Sequence, residues 1–243
     1  MLLVIDVGNT QIKAAVFEQN TLLKKEIIAY EDWQISLKKV IKNFSEISIL
    51  VVASVGKLGK SDFLTLDSGL NVYFITKESK FPFNNLYASP STLGIDRMIL
   101  ASGAVLQFPK KNRLVIDAGT CITYDFIDSN DNYLGGAISP GIRLRYESLH
   151  NYTAKLPLLK KEKPIDIVGN STTQSIHSGV INGVSFEIEG FINSVLDKND
   201  NFIIILTGGD AVFLAERLKN TIFANPNFLL ESLNQTFQYN NND

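Results

Sequence analysis

One tetrapeptide occurs twice in this chain. Leu3-Val4-Ile5-Asp6 returns as Leu114-Val115-Ile116-Asp117, just under half of the 243 residues further on, and each copy runs into a glycine (Gly8, Gly119) and a threonine (Thr10, Thr120). The likeness continues. Ile12 to Phe17 and Ile122 to Ile127 read as second strands, each followed by a polar turn (Glu18 to Asn20; Asp128 to Asn132) and a third strand. Four shared residues constrain little, but strand, turn, strand, turn, strand repeated at half-chain spacing is what an internal duplication leaves behind. Two similar halves are therefore expected, 1–110 and 111–243.

The remainder of each half alternates helices and strands. Tyr30 to Phe44 has helical spacing (Trp33, Leu37, Val40, Ile41, Phe44), Ile47 to Ala53 is a buried strand, Ser61 to Leu66 a short helix, and Val72 to Ile75 another strand. Met98 to Leu106 is helical, Pro140 to His150 starts a helix, and Thr172 to Leu196 reads as one long helix containing Gly179, Gly183 and Gly190. Each interior glycine disfavours a helix by roughly 1 kcal/mol, so the three point to close packing against another helix or a neighbouring subunit. Phe202 to Leu206 is a strand, Ala211 to Lys219 a helix, and the polar residues from Gln235 to Asp243 are expected to fray. A meander followed by alternating helices and strands gives an α/β fold with mixed sheets flanked by helices.

Bulk properties narrow the function. Lys+Arg 23 against Asp+Glu 25 leaves a net charge of −2, which gives nucleic acid no basic face. No apolar run approaches the ~20 residues that cross a bilayer, and the opening Met-Leu-Leu-Val-Ile-Asp lacks the basic start of a secretion signal. A lone cysteine, Cys121, precludes an internal disulfide and suits a reducing, cytoplasmic location.

The repeated strands end in loops suited to phosphate. In the first, Asp6-Val7-Gly8-Asn9-Thr10 joins two strands of a hairpin. A glycine there allows a tight turn that presents N–H groups, Asn9 and Thr10 add side-chain donors, and Lys13 adds positive charge. Asp6 at the strand end can hold Mg²⁺, directly or through water. A third element, Thr207-Gly208-Gly209-Asp210, lies between a strand and a helix, where bare backbone can lie against an adenosine or phosphate and Asp210 can cap the helix. Ser54 to Ser61 imitates a P-loop ending in Gly59-Lys60-Ser61, but position 54 is serine and Gly56 comes two residues late; it reads as a basic surface loop leading into a helix. Asp96-Arg97 stands at a helix start: an ion pair in the plain reading, or a carboxylate able to take a hydroxyl proton beside a guanidinium able to bind carboxylate or phosphate.

Two Asp-x-Gly hairpins, each followed by a threonine, and a later Gly-Gly resemble the superfamily of acetate kinases, sugar kinases, Hsp70 and actin, whose halves are ribonuclease H-like. Within it, Pro90-Ser91-Thr92-Leu93-Gly94-Ile95-Asp96-Arg97 resembles the Gly-x-Asp-Arg motif of the type III pantothenate kinases. So do Gly135 to Gly141, Thr153-Ala154-Lys155-Leu156-Pro157 and Gly169-Asn170-Ser171-Thr172, in the family's order over nearly the whole chain. Ser232 departs from it, standing where a glycine is usual, as do Arg143 and Arg145, which carry more charge than expected.

The resemblance implies two tandem actin-like halves and ATP-dependent phosphorylation of pantothenate, the first step of coenzyme A synthesis. By it, Asp6, Val7, Gly8, Asn9, Thr10, Gln11, Ile12 and Lys13 contact ATP phosphates and Mg²⁺, and Thr120 contacts ATP. Asp96 is the general base; Tyr87, Gly94, Ile95, Asp96 and Arg97 bind pantothenate. Asp117 holds a monovalent cation, K⁺ or NH₄⁺. Thr172 reaches the substrate from the second half, within the chain or across the interface of a homodimer. Two rivals stand beside this reading: a kinase of the same fold for another small substrate, and a regulator that binds nucleotide without turnover. Cys121, His150, His177 and Trp33 have packing or surface readings, and Lys160 to Lys163 that of a solvated linker.

Overall fold

The structure, a computed structural model, describes residues 1–56, 58–66, 69–196 and 201–241. They fall into two compact units. The first comprises Met1–Pro109, Asp131–Tyr133 and the segment from Asn227 onward; the second comprises Lys110–Asn130 and Leu134–Pro226.

The first unit is built on a five-stranded sheet, β1 (Leu2–Val7), β2 (Ile12–Glu18), β3 (Thr21–Ile28), β4 (Ile49–Ser54) and β5 (Asn71–Phe74), in the order β3-β2-β1-β4-β5. β1 runs antiparallel to β2 and parallel to β4. It lies at the centre with every residue buried, which is why it reads as an unbroken apolar run rather than an alternation. On one face α1 (Trp33–Asn43) sinks Trp33, Leu37 and Val40 into the cluster of Leu3, Ile5 and Val7, and Trp33 meets Phe63 of α2 (Lys60–Leu64) at 5.1 Å between ring centres. α2 follows a loop that contains Lys57, which lies outside the described residues.

The other face is covered by α3 (Ile95–Gln107), which follows the two-residue strand β6 (Asn84–Asn85), and by the C-terminal helix Phe228–Asn241. The expectation of a frayed C-terminus is corrected here for Gln235 to Asn241; Asn242 and Asp243 lie outside the described residues. The helix runs to Asn241 because its Leu229, Leu230, Leu233 and Phe237 form a stripe buried against α3 and the sheet, and Thr236 donates to Ser102 Oγ at 2.8 Å. The two helices approach closely at Gly103, where a Cβ would run into Ser232. α3 also begins earlier than its apolar spacing indicates, so Asp96 and Arg97 lie inside its first turn.

The second unit repeats the plan: β7 (Asn112–Ala118), β8 (Cys121–Ile127), β9 (Asn132–Pro140), β10 (Phe202–Thr207) and β11 (Phe223–Ala224), in the order β11-β10-β7-β8-β9, with β7 antiparallel to β8 and parallel to β10. The opening residues of β9, grouped with the first unit, pair with β6. Leu114, Ile116, Ile122, Tyr124 and Ile204 form a core with α4 (Ile142–Asn151), α5 (Thr172–His177), α6 (Gly183–Leu196) and α7 (Ala211–Ala215). The single long helix expected from 172 to 196 is interrupted by a π-helical turn at Ser178–Asn182, between α5 and α6. Packing of its glycines against another described helix of this chain is also corrected: a Cβ at Gly179, Gly183 or Gly190 would meet nothing within 4 Å among the described residues. The C-terminal helix of the first unit is α8.

Candidate active site

In the first unit the turn between β1 and β2 is closed by Gly8 N–H donating to Gln11 C=O at 3.2 Å. Val7 and Ile12 flank it as buried anchors, while Asn9 and Thr10 stand exposed at its tip. Asp6, 5% exposed, faces Lys13 across the ladder, with Lys13 Nζ 3.6 Å from its Oδ2. Burial pushes the Asp6 carboxyl up to about 6; Lys13 opposes the rise, and Asp96 adds to it. Asp96 is therefore within electrostatic reach of Asp6, although the two are far apart in sequence.

The α3 N-terminus supplies the rest of this group. Gly94 caps the helix with extended backbone, and a Cβ on it would strike Asp96 Oδ1, so a larger residue there would make that carboxylate shift. Asp96 Oδ1 also accepts from Arg97 N–H at 2.9 Å. Ile95 is buried, and the buried guanidinium of Arg97 lies over the Tyr87 ring at 5.8 Å. Tyr87 in turn meets Tyr133 edge-on at 6.1 Å, and Tyr133 meets Phe83. Thus Tyr87, Gly94, Ile95, Asp96 and Arg97 form one continuous group with an aromatic backing.

In the second unit the loop after β7 is braced from two sides. Gly119 N–H donates to Cys121 C=O at 3.0 Å, and Gly141 N–H donates to Thr120 C=O at 3.0 Å. Gly208 adopts φ +98°, closed to most side chains, and a Cβ there would meet Asp117 Oδ1 and Ala118 C=O. Asp210 N–H donates to Ala118 C=O at 3.0 Å. The Asp210 side chain makes no cap to α7 as expected; it takes Lys161 Nζ at 2.5 Å, so the solvated linker is tied down at that residue. Asp117 sits in register with Thr207, whose buried Oγ1 has no hydrogen-bond partner among the described residues. Thr172 is exposed at the start of α5, behind its N-cap Ser171, whose Oγ accepts from Gln174 N–H.

Some of this architecture has no sequence signal. Tyr30 donates its hydroxyl to Gly8 C=O, and Gly56 packs beside that contact. Arg145 was conspicuous only as unexpected charge. Its Nε donates to Pro140 C=O at 2.8 Å, and its Nη2 reaches Ser139 Oγ at 2.7 Å and Glu187 Oε2 at 2.5 Å. It thereby steadies the turn that carries Gly141. Hydrogen bonds from Arg145, Ser139 and Tyr124 hold the Glu187 carboxyl below its ordinary range even though burial alone would raise it.

The sequence profile of the type III pantothenate kinases matches residues 2–194. A type III pantothenate kinase of Flavobacterium johnsoniae is 64% identical over 239 residues, covering 98% of this chain and 98% of that one. Among solved structures, a Baf family protein from Campylobacter jejuni superposes with a TM-score of 0.62 at 22% identity, covering 99% of this chain and 100% of that chain. An inorganic polyphosphate/ATP-glucomannokinase from Arthrobacter gives 0.50 at 18% identity, covering 98% of each. The structural likeness shows the fold: α/β, with two ribonuclease H-like, actin-like halves.

Proposed function

From the premise that this chain belongs to the type III pantothenate kinase family, and so phosphorylates pantothenate at the expense of ATP on the way to coenzyme A, we propose the following division of labour. Asp96 is the general base. Its carboxylate accepts the proton of the pantothenate primary hydroxyl as that oxygen bonds to the γ-phosphorus, and the bond from phosphorus to the ADP oxygen breaks. Arg97, with Tyr87, Gly94 and Ile95, binds pantothenate, and its guanidinium suits the substrate carboxylate. Residues Asp6 to Lys13 hold the ATP phosphates through backbone N–H groups, the Asn9 and Thr10 side chains and Lys13. Thr120 contacts ATP, and Thr172 contacts pantothenate.

The residues present fit two cations. Asp6 is a buried carboxylate whose charge is disfavoured by its surroundings, and a divalent ion would offset that charge. Mg²⁺ there supplies neutralisation of phosphate charge during transfer. Asp117, with the Thr207 hydroxyl in register beside it and without a partner among the described residues, fits a monovalent cation, K⁺ or NH₄⁺. The open glycines of the π-turn and α6 favour a homodimer through that helical stretch, and a cytoplasmic location suits the lone exposed Cys121. None of the described helices is long and apolar enough to cross a membrane.

The observation that carries the assignment of the base is the placement of Asp96 in the first turn of α3 beside Arg97, whose guanidinium lies over Tyr87, in the same unit as the Asp6 to Lys13 turn. Pantothenate-dependent ADP release by the purified protein tests it, with Mg²⁺, in potassium and then sodium buffer. Turnover that falls in sodium supports the cation at Asp117. Asp96→Asn is expected to lower kcat by about a hundred-fold or more with ATP still bound; a variant as active as the parent would remove Asp96 from its role.

A further inference from the structure

Two segments distant in sequence converge on the carbonyl of Gly8. Tyr30, in the 3₁₀ turn that follows β3, donates its hydroxyl to it. Gly56, just beyond β4, lies against it: a Cβ there would collide with Tyr30 Oη and come within 3.0 Å of Gly8 O and of Val7 Cγ1. Val55 N–H donates to Val7 C=O at 3.1 Å, extending the β1–β4 ladder and bringing Gly56 in. The 3₁₀ turn, the end of β4 and the β1–β2 loop belong to the same unit.

The consequence is geometric. A trans peptide is planar, with its C=O and N–H on opposite sides. Pinning the Gly8 carbonyl toward Tyr30 therefore turns the N–H of Asn9 the other way, at a position where Asn9 is exposed. Rotation of that peptide would break the tyrosine hydrogen bond and aim a carbonyl where a phosphate needs a donor. We infer that Tyr30 and Gly56 form a clamp that orients the Gly8–Asn9 peptide for the ATP phosphates, Tyr30 by its hydrogen bond and Gly56 by leaving space for the phenol. Both are positioning residues. The inference rests on the assignment of Asp6 to Lys13 to the ATP phosphates.

The test compares Tyr30→Phe, Gly56→Ala and the double variant in the full chain. ADP release is titrated in ATP at saturating pantothenate and in pantothenate at saturating ATP, and melting temperature is recorded alongside. Losing one hydroxyl–carbonyl bond is expected to raise KM for ATP about three- to ten-fold with KM for pantothenate unchanged. Gly56→Ala is expected to raise KM for ATP more in the parent than in the Tyr30→Phe background, because the second change removes the atom the methyl strikes. If Gly56→Ala does not fold, Tyr30→Phe alone decides. An unaltered KM for ATP, an equal rise in both KM values, or effects that simply multiply in the double variant would each overturn the clamp. Thr10→Ala separates the two levels: if it weakens ATP binding while Tyr30→Phe does not, the clamp is wrong and the loop assignment stands. If neither variant affects KM for ATP, the loop assignment fails and takes the clamp with it.

Discussion

Asp6→Asn should make the metal-free protein more stable while destroying its use of Mg·ATP. In the folded chain the Asp6 carboxyl is raised from 3.8 to about 6, chiefly by burial. The folded state thus keeps a proton that the unfolded chain has already released between those values. That stabilisation is complete below about pH 3.8 and is lost as the pH rises through about 6. Above pH 7 the ionised, buried carboxylate carries a penalty of about 3 kcal/mol, from roughly two pKa units at 1.36 kcal/mol each. Asparagine has the same shape and no charge, so it escapes the penalty. Lys13 loses its partner, but it sits 3.6 Å away with 23% of its side chain exposed. The raised value of Asp6 already contains the attraction of that lysine, so its loss takes nothing further from the gain. The net expectation is a gain of about 3 kcal/mol at pH 7.5, shrinking to about half of that at pH 5. Urea unfolding of parent and variant in EDTA at both pH values measures it. Mg·ATP should raise the melting temperature of the parent and leave the variant unmoved, since a ligand stabilises only the fold that binds it. A variant no more stable than the parent at pH 7.5, or one whose advantage is undiminished at pH 5, would refute the reasoning from burial.

Two other substitutions probe backbone and packing. Gly208→Ala places a methyl at φ +98° against Asp117 and Ala118 and should abolish activity through the Asp117 loop, with a stability loss of at least about 1–3 kcal/mol read by urea unfolding. Gly103→Ala should destabilise the α3–α8 contact by about 1–3 kcal/mol, and Ser232→Ala, which removes a buried hydroxyl without a hydrogen-bond partner among the described residues, should be neutral or stabilising by about 1 kcal/mol. Melting temperatures of both check this pair; a Ser232→Ala variant markedly less stable than the parent would show that the hydroxyl is satisfied after all.

What the sequence determined on its own was whatever is carried by neighbours along the chain. The duplicated Leu-Val-Ile-Asp strands, their loops and the α/β class were legible because a central strand buried on both faces must be apolar throughout, and because a tight turn at a strand end needs glycine where it stands. Asp6 and Asp96 could be singled out by residue type and motif, but their mutual influence could not. Contacts between distant segments belonged to the tertiary structure. α8 is polar in composition, yet it is held to its end because the sheet face and α3 offer its apolar stripe a surface. The helix expected from 172 to 196 acquires a π-turn that its periodicity does not announce. Tyr30 and Gly56 look like ordinary residues of a turn and a loop, and only the parallel pairing of β1 with β4, with β2 and β3 folded alongside, brings them to the Gly8 carbonyl. Local pattern sets which way each side chain can face; which surface it then meets is decided by burial of the whole sheet, a sum over contacts that no stretch of sequence contains.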